Sequence, residues 1–295
     1  MMNVKINEYS LRSAKSGPYG MTLGPDQEVW FTENQGNRIG KITEGGVITE
    51  YVIPTLDAGV SIIAAGVGKE LWFTEYKANK IGKITIEGKI TEYNLPTSNS
   101  GPFGIALGSD GAVWFTEITG NKIGRIDANG KIIEYDLPDK ASFPSMIVAG
   151  PDGALWYTEN QGNKIGRIST SGKIAEYPIP TPASGPVGIT KGSDGALWFV
   201  EINGNKIGRI TPAGEITEYP IPTENAKPHA ITPGKDGDLW FTEWEANQVG
   251  RITLCGQITE YKIPTPNSEP HGIILAQDGG IWFAEESNKI AQLIY

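Results

Sequence analysis

Apolar residues along this chain come in short runs cut by Gly, Asn and Asp, and no stretch places them at helical spacing. Between positions 101 and 137 the pattern predicts four strands, at 104–107, 113–117, 122–126 and 131–137. They are parted by Ser109-Asp110-Gly111, Thr119-Gly120-Asn121 and Ala128-Asn129-Gly130, residue types that supply positive φ or side-chain-to-backbone bonds in tight turns. The same pattern recurs through the chain. Trp30, Trp72, Trp114, Trp156, Trp198, Trp240 and Trp282 stand 42 residues apart, and each opens a version of the phrase Trp-Phe-Thr-Glu. A second phrase, Glu-Tyr, keeps the same spacing from Glu8-Tyr9 to Glu260-Tyr261. Four antiparallel strands per repeat of this length predict an all-β, seven-bladed β-propeller; helical solenoids are excluded.

The phase of the ends predicts how the ring closes. The chain starts on a Glu-Tyr strand and stops after three strands of its seventh repeat, so blade seven is expected to combine 269–295 with 3–10. That arrangement removes two open sheet edges. One domain, 1–295, is therefore expected, with Pro54-Thr55, Pro180-Thr181-Pro182 and Pro264-Thr265-Pro266 as stiff connections between blades.

Composition narrows the function. The chain of 295 residues is 39% hydrophobic and 20% charged, which suits a globular protein. The single Cys255 forbids an intramolecular disulfide, and two histidines with one cysteine cannot build the usual His/Cys zinc site. A net charge of −9 without a basic run repels phosphate backbones, so nucleic acid is not an expected partner. No window reaches the roughly 18 apolar residues of a membrane span, and positions 1–10 lack the basic start and apolar stretch of a signal peptide. No membrane partner is expected; the location expected is cytoplasmic. A closed ring needs no partner for stability, which points to a monomer.

Seven internal copies make columns, and departures from a column need an explanation other than blade construction. The glutamates of the Trp-Phe-Thr-Glu phrase occur in all seven copies and are read as structural, bonding donors of turns or neighbouring blades. More telling is the column that reads Tyr19, Ser61, Phe103, Ser145, Val187, His229, His271. Both histidines of the chain stand in it, in Lys227-Pro228-His229-Ala230 and Glu269-Pro270-His271-Gly272, where the channel-lining strand begins. The bland alternative is two structural histidines bonding loop carbonyls. After the repeated glutamate, a further column reads Asn34, Tyr76, Ile118, Asn160, Ile202, Trp244, Glu286, so only blade seven carries an acid there. Glu286 is placed to reach the mouth with Glu269 and His271; its bland alternative is a solvated turn carboxylate next to Lys289.

An imidazole titrates near pH ~6.5 and can take a proton near neutral pH, and His271 is the better candidate base. Glu269 and Glu286 offer hard oxygens that suit Mg²⁺ completed by water and substrate, and such an ion could stabilise an enolate or a leaving carboxylate. Tyr19, Tyr76, Phe103, Phe143 and Trp244 are expected to form an aromatic wall for a bulky ligand.

These repeats, with Trp-Phe-Thr-Glu, Asn121-Lys122-Ile123-Gly124-Arg125-Ile126 and the paired Pro-His motifs, resemble the virginiamycin B lyase family over essentially the whole chain. The resemblance implies a lyase that opens type B streptogramins, cyclic hexadepsipeptide antibiotics, by elimination across the threonine ester without water, with Mg²⁺ and as a resistance activity. It implies His271 as general base and His229 and Tyr19 as substrate contacts. Glu269 with Glu286, or the adjacent Glu285, would hold the metal, Glu286 being favoured by its column. Two readings from other classes stand beside it: a metal-dependent lactonase or hydrolase on another lactone, and a non-catalytic protein-binding propeller.

Overall fold

A computed structural model, which describes residues 3–295, resolves the expected repeat into seven four-stranded antiparallel sheets; positions 1 and 2 of the expected domain lie outside the described residues. Blade one starts at Pro18–Leu23, and blade seven joins Pro270–Leu275, Ile281–Glu285 and Lys289–Ile294 to the N-terminal strand Lys5–Ser10. The closing pair runs in register from Lys5 opposite Ile294 to Ser10 opposite Lys289, so both ends of the chain sit in one sheet. The seven-bladed propeller closed by its N-terminal strand is thus the observed fold.

Blade three shows how the repeat works. Its strands are Pro102–Leu107, Val113–Glu117, Lys122–Ile126 and Ile132–Asp136, innermost first. The inner strand begins two residues before the expected start, and its register shifts between Pro102 and Ile105. This bulge, which recurs in all seven blades, frees the backbone N–H of Gly104 from the ladder. Thr116 uses it: Gly104 N–H donates to Thr116 Oγ1 at 2.8 Å, and the same hydroxyl donates to the Ser145 carbonyl of blade four at 2.6 Å.

The core lies between blades. Trp114, Ile123, Leu137, Ile147, Leu155 and Tyr157 form one such layer, with Trp114 stacked on Tyr135 at 5.6 Å between centroids. Gly124 is required here, because a Cβ at that position would sit 2.1 Å from the Phe115 ring. At the top of each blade a carboxyl group of the repeated phrase is fully buried.

These buried carboxyls correct one expectation. Glu33 and Glu243 accept hydrogen bonds from Arg38 and Gln248, but both oxygens of Glu75, Glu117, Glu159, Glu201 and Glu285 have no hydrogen-bond partner of normal geometry. The nearby lysines bond the outer-strand glutamates instead, as in Lys80 to Glu92 and Lys122 to Glu134. Burial, foremost, pushes the buried acids up, to about 8 for Glu75, Glu201 and Glu285 and about 7 for Glu117 and Glu159.

Candidate active site at the mouth of the channel

Inner strands of blades six, seven and one carry His229, His271 and Tyr19 at their second positions, just before the bulge. The three rings gather at the mouth. Centroids lie 4.4 Å apart for Tyr19 and His271 and 4.6 Å for the two histidines, and the Tyr19 hydroxyl and His229 Nε2 share a hydrogen bond of 3.2 Å. His271 Nε2 stands 2.8 Å from Glu286 Oε2. Gln35 Nε2, from the neighbouring turn of blade one, donates to Glu286 Oε1 at 2.9 Å. The Glu286 N–H donates to the Glu269 carbonyl at 3.2 Å, which ties the two acidic positions together. Lys289 bonds Glu8 and Thr265, so the solvated pairing of Glu286 with Lys289 is not what the structure contains.

Glu269 occupies a left-handed conformation that every blade repeats at this column, on glycine in four blades and on Phe143, Lys227 and Glu269 in the other three. Its φ is +52°, where Gly17, Gly59, Gly101 and Gly185 hold the matching positions of four other blades at +56° to +66°. A side chain there costs on the order of 1 kcal/mol, a cost that Phe143 and Lys227 bear as well, so the backbone alone does not single out Glu269. The position makes Glu269 exposed, beside the half-buried Glu286.

Electrostatics separate the groups by charge. The hydrogen bond from His271, foremost, holds the Glu286 carboxyl below the ordinary carboxylate range against the opposing effect of burial, with Gln35 and Glu269 adding to it. Glu286 is therefore ionised at neutral pH. Burial, with His271 next to it, pushes His229 down to about 3, and burial with the Glu286 charge pushes the Tyr19 hydroxyl up. The Tyr19–His229 pair is neutral. Nδ1 of each histidine is buried and without a protein partner, which leaves Nε2 as the nitrogen that meets the mouth.

Tyr19, Tyr76, Phe103 and Glu286 line one cavity of about 360 Å³, together with Asn34 and Ser61. A narrower channel continues below Tyr19 and His229 between Met21, Met146, Ile231 and Ile273. Phe143 and Trp244 line neither cavity, and neither do His271 and Glu269; Trp244 follows the second strand of blade six, whose inner strand carries His229, and Phe143 precedes blade four. Gln35 was not legible as a site residue. Its column reads Gln35, Lys77, Thr119, Gln161, Asn203, Glu245, Ser287, and a column of six residue types in seven copies carries no signal until ring closure brings Gln35 to Glu286.

Glu286, and not Glu285, reaches the mouth; Glu285 is fully buried. The chemistry of Glu269 and Glu286 fits a hard divalent cation. Their carboxyls interact, and no lysine or arginine forms an ion pair with either among the described residues. Among the described residues no group of three or more His, Cys, Asp or Glu side chains is in ligating geometry, so a cation at these two carboxyls would need water or substrate oxygens to complete its shell.

Comparison with known proteins places this geometry. Residues 4–293 match the virginiamycin B lyase family. A curated relative, virginiamycin B lyase from Bacillus licheniformis, is 58% identical over 47 residues, an alignment that takes in 16% of each chain. A solved streptogramin B lyase superimposes with a TM-score of 0.97 at 54% identity, over 99% of this chain and 98% of that one. A catalytically inactive histidine-to-alanine variant of virginiamycin B lyase from Staphylococcus aureus, solved with quinupristin, gives a TM-score of 0.96 at 54% identity, over 99% of this chain and all of the other.

Proposed function

Because the chain belongs to the virginiamycin B lyase family, we propose that it is a carbon–oxygen lyase that linearises type B streptogramins by β-elimination at the threonine ester, assisted by Mg²⁺, and so gives resistance to them. The observation that carries this reading is the contact of His271 Nε2 with the ionised Glu286, beside Glu269, at the rim of an aromatic cavity.

With Glu286 ionised, His271 Nε2 donates to it. The base is therefore the tautomer protonated at Nδ1, in which Nε2, released from that bond as substrate enters, takes the threonine Cα proton. The electron pair of the Cα–H bond becomes the Cα–Cβ double bond, the Cβ–O bond breaks, and the ester oxygen leaves with its electrons as a carboxylate. The linear product ends in dehydrobutyrine and has the mass of the substrate. The Glu286 carboxylate beside Nε2 offsets the charge of the imidazolium. Glu269 and Glu286 would hold Mg²⁺, which when bound supplies positive charge to the developing enolate and the leaving carboxylate. Tyr19 and His229, held neutral, contact the lactone through hydrogen bonds without adding charge. Tyr76 and Phe103 supply apolar surface for the macrocycle.

The test is mass spectrometry of a type B streptogramin treated with the protein and Mg²⁺ in ¹⁸O-labelled water. An opened, isobaric, unlabelled product that disappears on chelation is expected. A product heavier by one labelled water means hydrolysis and overturns the elimination, and full turnover after chelation overturns the cation's part.

A further inference from the structure

The threonine of the Trp-Phe-Thr-Glu phrase ties inner strands together, and it does so in five of seven blades. Thr32, Thr74, Thr116, Thr158 and Thr242 each accept the bulge N–H of their own inner strand at 2.8–3.1 Å. Each also donates to a carbonyl of the next blade at 2.6–2.8 Å, namely that of Ser61, Phe103, Ser145, Val187 and His271. In blade five the position is Val200, and in blade seven it is Ala284. Neither has a hydroxyl. The two joints left without this bridge are those whose acceptors would be the carbonyls of His229 and Tyr19.

Backbone approach at these joints is otherwise the same as elsewhere. A Cβ on Gly188 would lie 2.7 Å from the His229 carbonyl and one on Gly272 2.4 Å from that of Tyr19, against 2.4 Å from Gly104 to Ser145. The missing bridges divide the ring into two arcs. Blades one to five, joined by four threonines, carry Tyr19, Gln35, Tyr76 and Phe103; blades six and seven, joined by Thr242, carry His229, Glu269, His271 and Glu286. Across the mouth the arcs meet through side chains, Tyr19 with His229 and Gln35 with Glu286.

We propose that Val200 and Ala284 are positioning residues that create two seams, letting the arc with the base and acidic pair adjust against the arc with the aromatic wall when a bulky cyclic depsipeptide enters. This rests on the lyase reading for its substrate but not for the seams. His271 stays fixed to blade six through Thr242, while Tyr19 and His229 can shift against each other as their shared bond opens. The seams therefore set how wide a macrocycle the mouth takes, while His271 keeps its place relative to His229 and Glu286 because all three ride on one arc.

Val200→Thr is nearly isosteric and adds only the hydroxyl, and Ala284→Ser does the same with least added volume; the pair is compared with Thr116→Val at a joint remote from the mouth. Amide exchange followed by NMR on the parent is expected to be faster at Gly188 and Gly272 than at Gly20 and Gly104, and the Val200→Thr/Ala284→Ser protein should slow it. Its kcat/KM on a type B streptogramin should drop about tenfold, chiefly through KM, with melting temperature kept or raised. Thr116→Val should lower melting temperature and leave kcat/KM unchanged. Equal exchange at the four glycines in the parent overturns the seams, and so does unchanged kcat/KM in the bridged protein. A parent with no lyase activity would count against the functional reading instead, and exchange would still decide the seams.

Discussion

Two neighbouring glutamates, Glu285 and Glu286, live in opposite chemical worlds. Glu285 belongs to the sevenfold ring of buried carboxyls, is fully buried, and is pushed up to about 8 by burial and then by the charge of Glu8. Glu286 exists in one blade only, is half-buried, and is held down by its bond to His271. The repeated acid stores a proton inside a blade joint; the singular acid carries a charge at the mouth. In a ring of near-identical blades, chemistry that must happen at one place is built from the positions where the repeat is broken.

Exchanging the two carboxyls for amides breaks this comparison most directly. Glu286→Gln should lower turnover of a type B streptogramin by on the order of 100-fold or more, since it removes the charge beside the base and an oxygen of the acidic pair. Glu285→Gln should leave turnover near the parent value. Steady-state kinetics on both proteins, with circular dichroism to verify folding, checks this. Equal losses would erase the distinction between ring and mouth.

A smaller effect is expected at Gln35, whose amide holds Glu286 Oε1 from blade one. Gln35→Ala should cost about tenfold in kcat, one charge-assisted hydrogen bond's worth, and raise the Mg²⁺ concentration needed for half-maximal rate as Glu286 loses its fixed orientation. Gln35→Glu, which puts a third carboxyl there, should be worse than alanine at low Mg²⁺. A Gln35→Ala protein with the parent's Mg²⁺ dependence would make that bond incidental.

Repetition made the fold readable and left much of the site hidden. The tryptophan lattice and the phase of the chain ends were enough for seven blades and their closure, because a 42-residue period with four strands has few packings. His229, His271, Tyr19 and Glu286 were visible as breaks in columns, and the structure brings them together. Trp244 and Phe143 looked equally singular, and among the described residues no ring contact with this cluster accompanies them. Gln35 could not be seen, because its partner is 251 positions away and its own column, which repeats glutamine only at Gln161, has no prevailing residue to depart from. Val200 and Ala284 were plain departures in the phrase, but their meaning depends on the inner-strand bulge, which strand patterning does not reveal. The fate of the buried glutamates was hidden for a related reason: which carboxyl gains the lysine is settled by side-chain reach across strands.

The ring itself should be felt in stability, where the effect per residue is smallest and the sign is opposite to that of Glu286. Glu75, Glu201, Glu243 and Glu285 stand at about 8 and Glu117 and Glu159 at about 7 in the folded protein, with burial the main cause. An unfolded glutamate titrates near ~4.3. The folded state thus binds more protons between these values, so the stability due to the ring is complete below about pH 4.3 and is lost as pH rises through 7 to 8. Glu286, with its value lowered, contributes stability above about pH 4.3 that is lost on further acidification, and Glu8, Glu92 and Glu218, also lowered, act in the same direction. The two trends leave a maximum between about pH 5 and 6.5. Calorimetry should therefore find a melting temperature several degrees higher at pH 5.5 than at pH 8.5, at about 2–4 °C per kcal/mol for a chain of this size. Glu75→Gln, at a site where both oxygens lack a hydrogen-bond partner, should reduce that difference while leaving turnover near the parent value. A melting temperature flat across this range would mean that the buried carboxyls are ionised in the folded protein, and the contrast between Glu285 and Glu286 would then be one of position alone.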